Sequence, residues 1–190
     1  MTSLASKYRT HTCNDLSRVD VGKHVTVSGW IHKMRDHGGV LFIDLRDNYG
    51  LTQVVLHDEL KERAAKLRLE SVICVRGEIL ARSDTTINQK LKTGEIEVRG
   101  TLMEVLSEAD VVPFQIAEDD NAPENTRLKY RFLELRREKL HNNILLRSKV
   151  IYEMRRIMWA LGFYEFQTPI LTASSPEGAR DYIVPSRVHP

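Results

Sequence analysis

Only two cysteines, Cys13 and Cys74, occur in 190 residues, far apart and with no CxxC pair. That spacing excludes the common zinc motifs and a disulfide framework, and fits a reducing compartment. Long apolar runs are missing too. No window approaches the roughly 20 apolar residues that cross a bilayer, and the opening MTSLASKYRTHTC holds no apolar core of a secretion signal. A cytoplasmic chain without a membrane partner is expected. Charge of one sign is scarce: the formal net charge is +2, with no basic tail or stripe. Proteins that hold nucleic acid by displacing counterions concentrate Lys and Arg, so any nucleic-acid role here must rest on placed contacts. Internal repeats and low-complexity tracts are absent. What remains is ordinary for a folded protein of one or two domains, 42% hydrophobic and 28% charged, with enough apolar residues for a real core.

The first 107 residues read as strands. HVTVSGWIHKMR, residues 24–35, alternates like a strand, and Gly29 beside Trp30 marks a bulge or bend. GVLFIDLRDNYGLTQVVL, residues 39–56, reads as a β-hairpin in which Leu41, Ile43 and Leu45 alternate with Phe42, Asp44 and Arg46 before a turn at DNYG. A four-residue loop there pairs Arg46 with Leu51, Asp44 with Gln53 and Phe42 with Val55. Residues 57–70 carry Leu60, Ala64 and Leu67 at helical spacing. SVICVRGEILAR (71–82) makes a fourth strand, a polar loop covers 83–94, and EIEVRGTLMEVL (95–106) makes a fifth. The order β-β-β-α-β-β is the plan of an all-β OB-fold barrel, five strands plus a helix, which presents strands two and three and two loops to its ligand.

That plan gives meaning to an aromatic on a polar face. On the hairpin alone, a surface ring covering its neighbour is the plainer account of Phe42. On an oligonucleotide-binding barrel, Phe42 and the diagonal Gln53 fall on the ligand strands. Glu97 faces solvent on strand five and Arg35 closes strand one, so ring, amide, carboxylate and guanidinium are expected to converge. Single-stranded RNA stacks its bases on aromatic rings and shows its Watson–Crick edges to amides and charges; a carboxylate suits the guanine N1 and N2 donors.

Residues 108–126 hold two prolines and six acidic side chains without a clear period, and read as a hinge or linker. From Arg127 a single long amphipathic helix is predicted to end at Gly162, with Leu140, Ile144, Ile151, Met154, Met158 and Leu161 on one apolar face. Its basic residues read as a solvated face.

The helix runs into GFYEFQTPIL, residues 162–171, which resembles motif 1 of the class II aminoacyl-tRNA synthetases. The next stretch, TASSPEGARDYIVPSRVHP, resembles the segment that follows motif 1 in bacterial aspartyl-tRNA synthetases, and PEGARDY is the more specific part. SGWIHKMRDHGGVLFIDLRDNYGLTQVV, INQKLKTGEIEV and RLKYRFLELRR also resemble the amino-terminal half of that family. The resemblance implies an anticodon-binding OB-fold at residues 1–107, a hinge at 108–126, and the truncated start of an α+β class II catalytic domain at 127–190. It places Arg35, Phe42, Gln53 and Glu97 at anticodon-contacting positions, with Phe42 stacked on a base. It places Pro169 in a motif 1 homodimer interface and Glu177 in the loop that closes over the aspartate substrate.

Members of the family activate aspartate with ATP and Mg²⁺ and transfer it to the 3′ end of tRNA(Asp). Motifs 2 and 3, which supply the ATP-binding arginines, have no counterpart here: no F-R-x-E stretch occurs and no glycine follows Gly178. The expectation is therefore a part of an aspartate–tRNA ligase that holds no catalytic residue, no metal site and no bound cofactor of its own. A stand-alone, non-catalytic OB-fold tRNA-binding module is the alternative. His37, following Arg35 and Asp36, is the residue type that accompanies charging of tRNA(Asn) as well as tRNA(Asp) in bacterial relatives.

Overall fold

The computed structural model describes residues 6–117, 122–171 and 182–188. It divides into two units, residues 1–141 and 142–190.

The first unit is built on a closed barrel. Its strands are β1 (His24–Asp36), β2 (Val40–Arg46), β3 (Leu51–His57), β4 (Val72–Ala81) and β5 (Ile96–Ser107), with helix α1 (Asp58–Ala64) between β3 and β4. Hydrogen bonding closes the barrel in the order β1-β2-β3-β5-β4. All pairs are antiparallel except β3 with β5. The hairpin takes the expected register: Phe42 lies opposite Val55, Asp44 opposite Gln53 and Arg46 opposite Leu51.

Alternation puts one side of each strand into the core. Ile31, Ile43, Leu45, Leu56, Ile73 and Ile79 are fully buried, and each such side chain contributes about 1.5–3 kcal/mol by leaving water. Ala64 and Leu67 place α1 and the turn after it on the same core. That helix is shorter than the periodicity implies: it stops at Ala64, and the chain turns until Glu70, which adopts a left-handed φ of 70°. Beyond the helix, Leu67 still reaches the core through turns.

β1 serves two partners. Its first half pairs with β4 and its second half with β2, meeting at Trp30. The irregularity expected near Gly29 falls at Ile31–Lys33, where the register to β2 shifts. Gly29 has a different task, since a Cβ there would collide with the carbonyl of Arg46; the two backbones approach where only glycine fits.

A second, smaller cluster follows the barrel. Phe114, Ile116 and Leu133 are buried together, with Val112, Ala122 and Tyr130 packed against them. This cluster breaks the single long helix expected from Arg127. Three helices form instead: α2 (Glu124–Lys129), α3 (Arg131–Glu134) and α4 (Glu138–Ala160). Tyr130 leaves the helical region at φ −105° and ψ 45°, and the break lets Tyr130 and Leu133 turn inward together. Composition favours helix throughout, but burying these side chains wins over one more turn of unsupported helix.

The second unit carries most of α4, which ends as its sequence implies. Gly162, at φ 85°, donates to the carbonyl of Trp159 and Phe163 donates to that of Met158, both at 3.0 Å, a glycine-capped helix end. Ile144, Ile151, Met154, Met158 and Leu161 are all exposed. Residues 163–169 form no helix or strand.

Candidate nucleic-acid interface

Four strands bring the predicted residues to one hollow of about 810 Å³. Arg35 comes from the end of β1, Phe42 from β2, Gln53 from β3 and Glu97 from β5, and all four line it. The size falls in the range of cavities that hold a small ligand or a single base. Its other walls are His37 and Val40 around the β1–β2 loop, and Ala81, Arg82, Ser83, Thr86, Ile87 and Asn88 at the end of β4 and in the loop that follows.

Phe42 is half-buried, and the His37 ring lies 5.4 Å from it between centroids at an interplanar angle of 88°, a T-shaped pair. The loop carrying His37 is tied down. The Gly38 N–H donates to Asp36 Oδ1 at 2.9 Å and the His37 N–H to the Val40 carbonyl at 3.0 Å. From α1, Lys61 pairs with Asp36 at 3.1 Å and donates to the Gly38 carbonyl. A partly exposed aromatic ring lining a hollow is suited to stacking on a base.

The polar groups beside it form a chain across the four strands. Arg35 donates two parallel hydrogen bonds to Asp44, both 2.8 Å. Its Nη2 also donates to Gln53 Oε1 at 3.3 Å, and Gln53 Nε2 donates to Glu97 Oε2 at 2.9 Å. Bonding to Asp44 is also what raises the Arg35 pKa. Here the structure corrects a sequence expectation: the amide is not simply offered on an outer face, because Gln53 is only 4% exposed. Its polar atoms are taken up by charged neighbours on both sides, which is what makes burial tolerable.

Arg46 is a second correction. Alternation placed it on the polar face with Phe42 and Asp44, yet it is 8% exposed. Its Nη2 contacts both oxygens of Glu70 at 2.8 Å and its Nη1 meets His32 Nδ1 at 2.7 Å. Trp30 lies under its guanidinium at 5.5 Å and under that of Arg136 at 4.6 Å, and Arg136 adds a third bond to Glu70 at 2.9 Å. Burial, then the Arg46 charge, pushes the His32 pKa down to about 4. This end of β2 is covered structure and no part of the hollow.

Arg82 escaped the sequence reading. Its Nε is sealed from solvent without a hydrogen-bond partner. The available signal was its place at the close of strand four, directly before the polar loop. Pro169 is exposed in the second unit. Glu177 lies outside the described residues. Among the described residues, no group of three or more His, Cys, Asp or Glu side chains could hold a metal ion, and no helix is long and apolar enough to cross a membrane.

Two family models match separate parts of the chain. Residues 25–106 match the model of the OB-fold nucleic acid binding domain, and residues 123–190 match that of the class II tRNA synthetases (D, K and N). The chain is 62% identical over 187 residues to an aspartate–tRNA(Asp/Asn) ligase of Rickettsia felis, covering 97% of this chain and 31% of that one. It is 57% identical to the ligase of the same name from Paracoccus denitrificans, covering 97% and 32%. It thus spans about a third of the length of these curated relatives. A crystal structure of asparaginyl-tRNA synthetase from Pyrococcus horikoshii superposes with a TM-score of 0.76 at 25% identity, covering 89% of this chain and 38% of that one.

Proposed function

Because this chain belongs to the class II tRNA synthetases of the D, K and N group, we propose that it serves an aspartate–tRNA ligase, with its barrel reading the tRNA anticodon. The observation that carries the reading is the meeting of the half-buried Phe42 ring with the Glu97 carboxylate and the Arg35 guanidinium in one hollow. An unstacked base lies on the ring. Glu97 has one oxygen bonded to Gln53 and accepts from guanine N1 and N2, so a guanine at the first anticodon position is its partner. Arg35 uses three N–H groups on Asp44 and Gln53, leaving two of its five for a base edge or phosphate.

The activity assigned is activation of aspartate by ATP and Mg²⁺ and its transfer to tRNA(Asp), and, on the name shared by the bacterial relatives, to tRNA(Asn) also. No described residue is assigned to the ATP or the metal. Glu177 suits the substrate ammonium group by charge. Pro169 and the exposed apolar side chains of α4 are assigned to a homodimer interface, since an unpartnered row of Ile144, Ile151 and Met158 calls for a cover. A cytoplasmic location goes with this function.

The test is binding of anticodon stem-loops, with every single-base variant of the anticodon, to the 190-residue chain. Phe42→Ala is expected to weaken binding by about tenfold or more, since stacking on a base is worth about 1–3 kcal/mol. Glu97→Gln presents an N–H₂ to one guanine donor and is expected to erase preference for guanine over adenine at the first position. Equal affinity of the unmutated chain for all anticodon variants would overturn the proposal.

A further inference from the structure

We propose that Arg136 and Arg137 are positioning residues that clasp the start of the class II portion of the chain to the barrel. The clasp stands on its own geometry, and its use in charging a tRNA rests on the ligase reading above. The match to the class II synthetases begins at residue 123, yet residues 123–141 belong to the barrel's unit. The barrel core and the cluster of Phe114, Ile116 and Leu133 share no residue, so apolar packing does not merge them into one core. The turn between α3 and α4 bridges them instead. Arg136 Nη1 donates to Glu70 Oε2 at 2.9 Å, and its guanidinium lies 4.6 Å from the Trp30 ring. The next residue engages different partners. Arg137 Nη2 donates to the Gln115 carbonyl at 3.0 Å, its guanidinium lies 5.0 Å from the Phe114 ring, and its Nε stands 3.6 Å from Glu134. Arg127 holds the same Glu134 at 3.1 Å. Two adjacent arginines thus fasten one turn to the barrel and to the smaller cluster.

Directionality makes these contacts positioning ones. Apolar contact has no preferred direction and lets surfaces slide, whereas a guanidinium bonded to a carboxylate and stacked on a ring is fixed in distance and in plane. The socket that Arg136 enters is itself held. The Glu70 side chain is 5% exposed and takes two bonds from Arg46, while its backbone N–H donates to the Ile31 carbonyl at 2.8 Å. Trp30 belongs to β1 and also lies under Arg46. Beyond the turn, the His141 N–H donates to the Arg137 carbonyl at 2.8 Å, so the first turn of α4 starts from a clasped residue. A ligase presents its anticodon reader and its aminoacylating part to the same tRNA, and slack in the piece that joins them costs orientation at the reacting end.

The experiment measures position and local opening in the 190-residue chain and its variants. Nitroxide labels go on Glu62→Cys in α1 and Leu128→Cys in α2, both exposed positions, while Cys13 and Cys74 are buried. The unmutated background is expected to give one narrow distance distribution by pulsed electron resonance, and Arg136→Ala and Arg137→Ala each to broaden it. In Arg136→Ala the Leu133 and Leu135 amides, bonded to the carbonyls of Tyr130 and Arg131, are expected to exchange about tenfold faster, because a charge-assisted bond and a cation–π contact are lost at a partly exposed position. The Ile79 amide of the barrel, bonded to the Lys23 carbonyl, is expected to keep its protection. Arg136→Lys keeps the charge without the plane; it is expected to broaden the distribution less, and it carries the test should Arg136→Ala fail to fold. A distribution unchanged by either Arg136 substitution would overturn the proposal. Broadening together with lost protection at Ile79 would overturn it too, since Arg136 would then support the whole barrel instead of placing one turn on it. Anticodon stem-loop affinity is expected to be unchanged in Arg136→Lys, so the clasp and the anticodon reading are judged apart: failure of the unmutated chain to bind any stem-loop would sink that reading and leave the distances to decide the clasp.

Discussion

Replacing Glu70 should destabilise the barrel more than any exposed charge would, and by an amount that divides into two parts. The carboxylate is 5% exposed and accepts from Arg46 twice at 2.8 Å and from Arg136 at 2.9 Å, with the Arg46 side chain itself 10% exposed. Removing it leaves a buried guanidinium beside a second one and a neutral histidine, and breaking a buried pair of this kind costs about 3–5 kcal/mol. Against that stands the backbone. Glu70 sits at φ 70°, a left-handed conformation that costs a non-glycine residue about 1–2 kcal/mol. It is held there because its N–H donates to the Ile31 carbonyl at 2.8 Å while the Ile31 N–H donates to the Ser71 carbonyl at 2.9 Å. Glu70→Ala should therefore lose about 4 kcal/mol, and Glu70→Gly about 1 kcal/mol less than that, because glycine occupies the same φ without strain. The assay is urea unfolding of the full chain followed by Trp30 fluorescence, in a Trp159→Phe background so that a single indole reports. Trp30 touches both arginines, so its signal follows this cluster. A loss below about 1 kcal/mol for Glu70→Ala would refute the charge argument. Equal losses for the alanine and glycine variants would refute the strain argument.

Gly29→Ala should destabilise the chain by about 1–3 kcal/mol, read as a lower urea midpoint, because its Cβ would meet the Arg46 carbonyl where β1 and β2 cross. His32 makes the fold pH-sensitive. Its folded pKa, about 4, lies below the ordinary 6.5, so the unfolded chain takes up a proton that the folded chain refuses; this stabilisation is complete above about pH 6.5 and is withdrawn as the pH falls toward about 4. His32→Asn keeps an acceptor toward Arg46 and should lose less of its urea midpoint than the unmutated chain between about pH 7 and pH 5; parallel losses in both would contradict the assignment.

Local rules carried a large part of the barrel. Alternation along β1 and through Leu45 in β2 specified which side chains enter the core, and the DNYG turn set the hairpin register, because strand period and turn length depend on neighbours a few residues away. The end of α4 was legible for the same reason: one glycine in a left-handed conformation completes two hydrogen bonds within five residues. The long helix from Arg127 was not, since the sequence pattern holds no record of Phe114 and Ile116 packing beneath Tyr130 and Leu133. Nor did alternation show that Arg46, on the same face as Phe42, is enclosed by Trp30, Glu70 and Arg136, residues up to 90 positions away.

The candidate site divides along the same line. The residue types at Arg35, Phe42, Gln53 and Glu97 were readable from strand order and family resemblance, so the sequence by itself determined which four strands supply the hollow and which chemistry lines it. It could not determine how those groups are already occupied. Closing the barrel brings Asp44, Arg35, Gln53 and Glu97 within hydrogen-bond reach across β1, β2, β3 and β5, and burial of Gln53 obliges its amide to bond its charged neighbours. Which of these groups are already bonded to one another is decided by that closure, because hydrogen bonds between strands depend on distances that only the closed barrel sets.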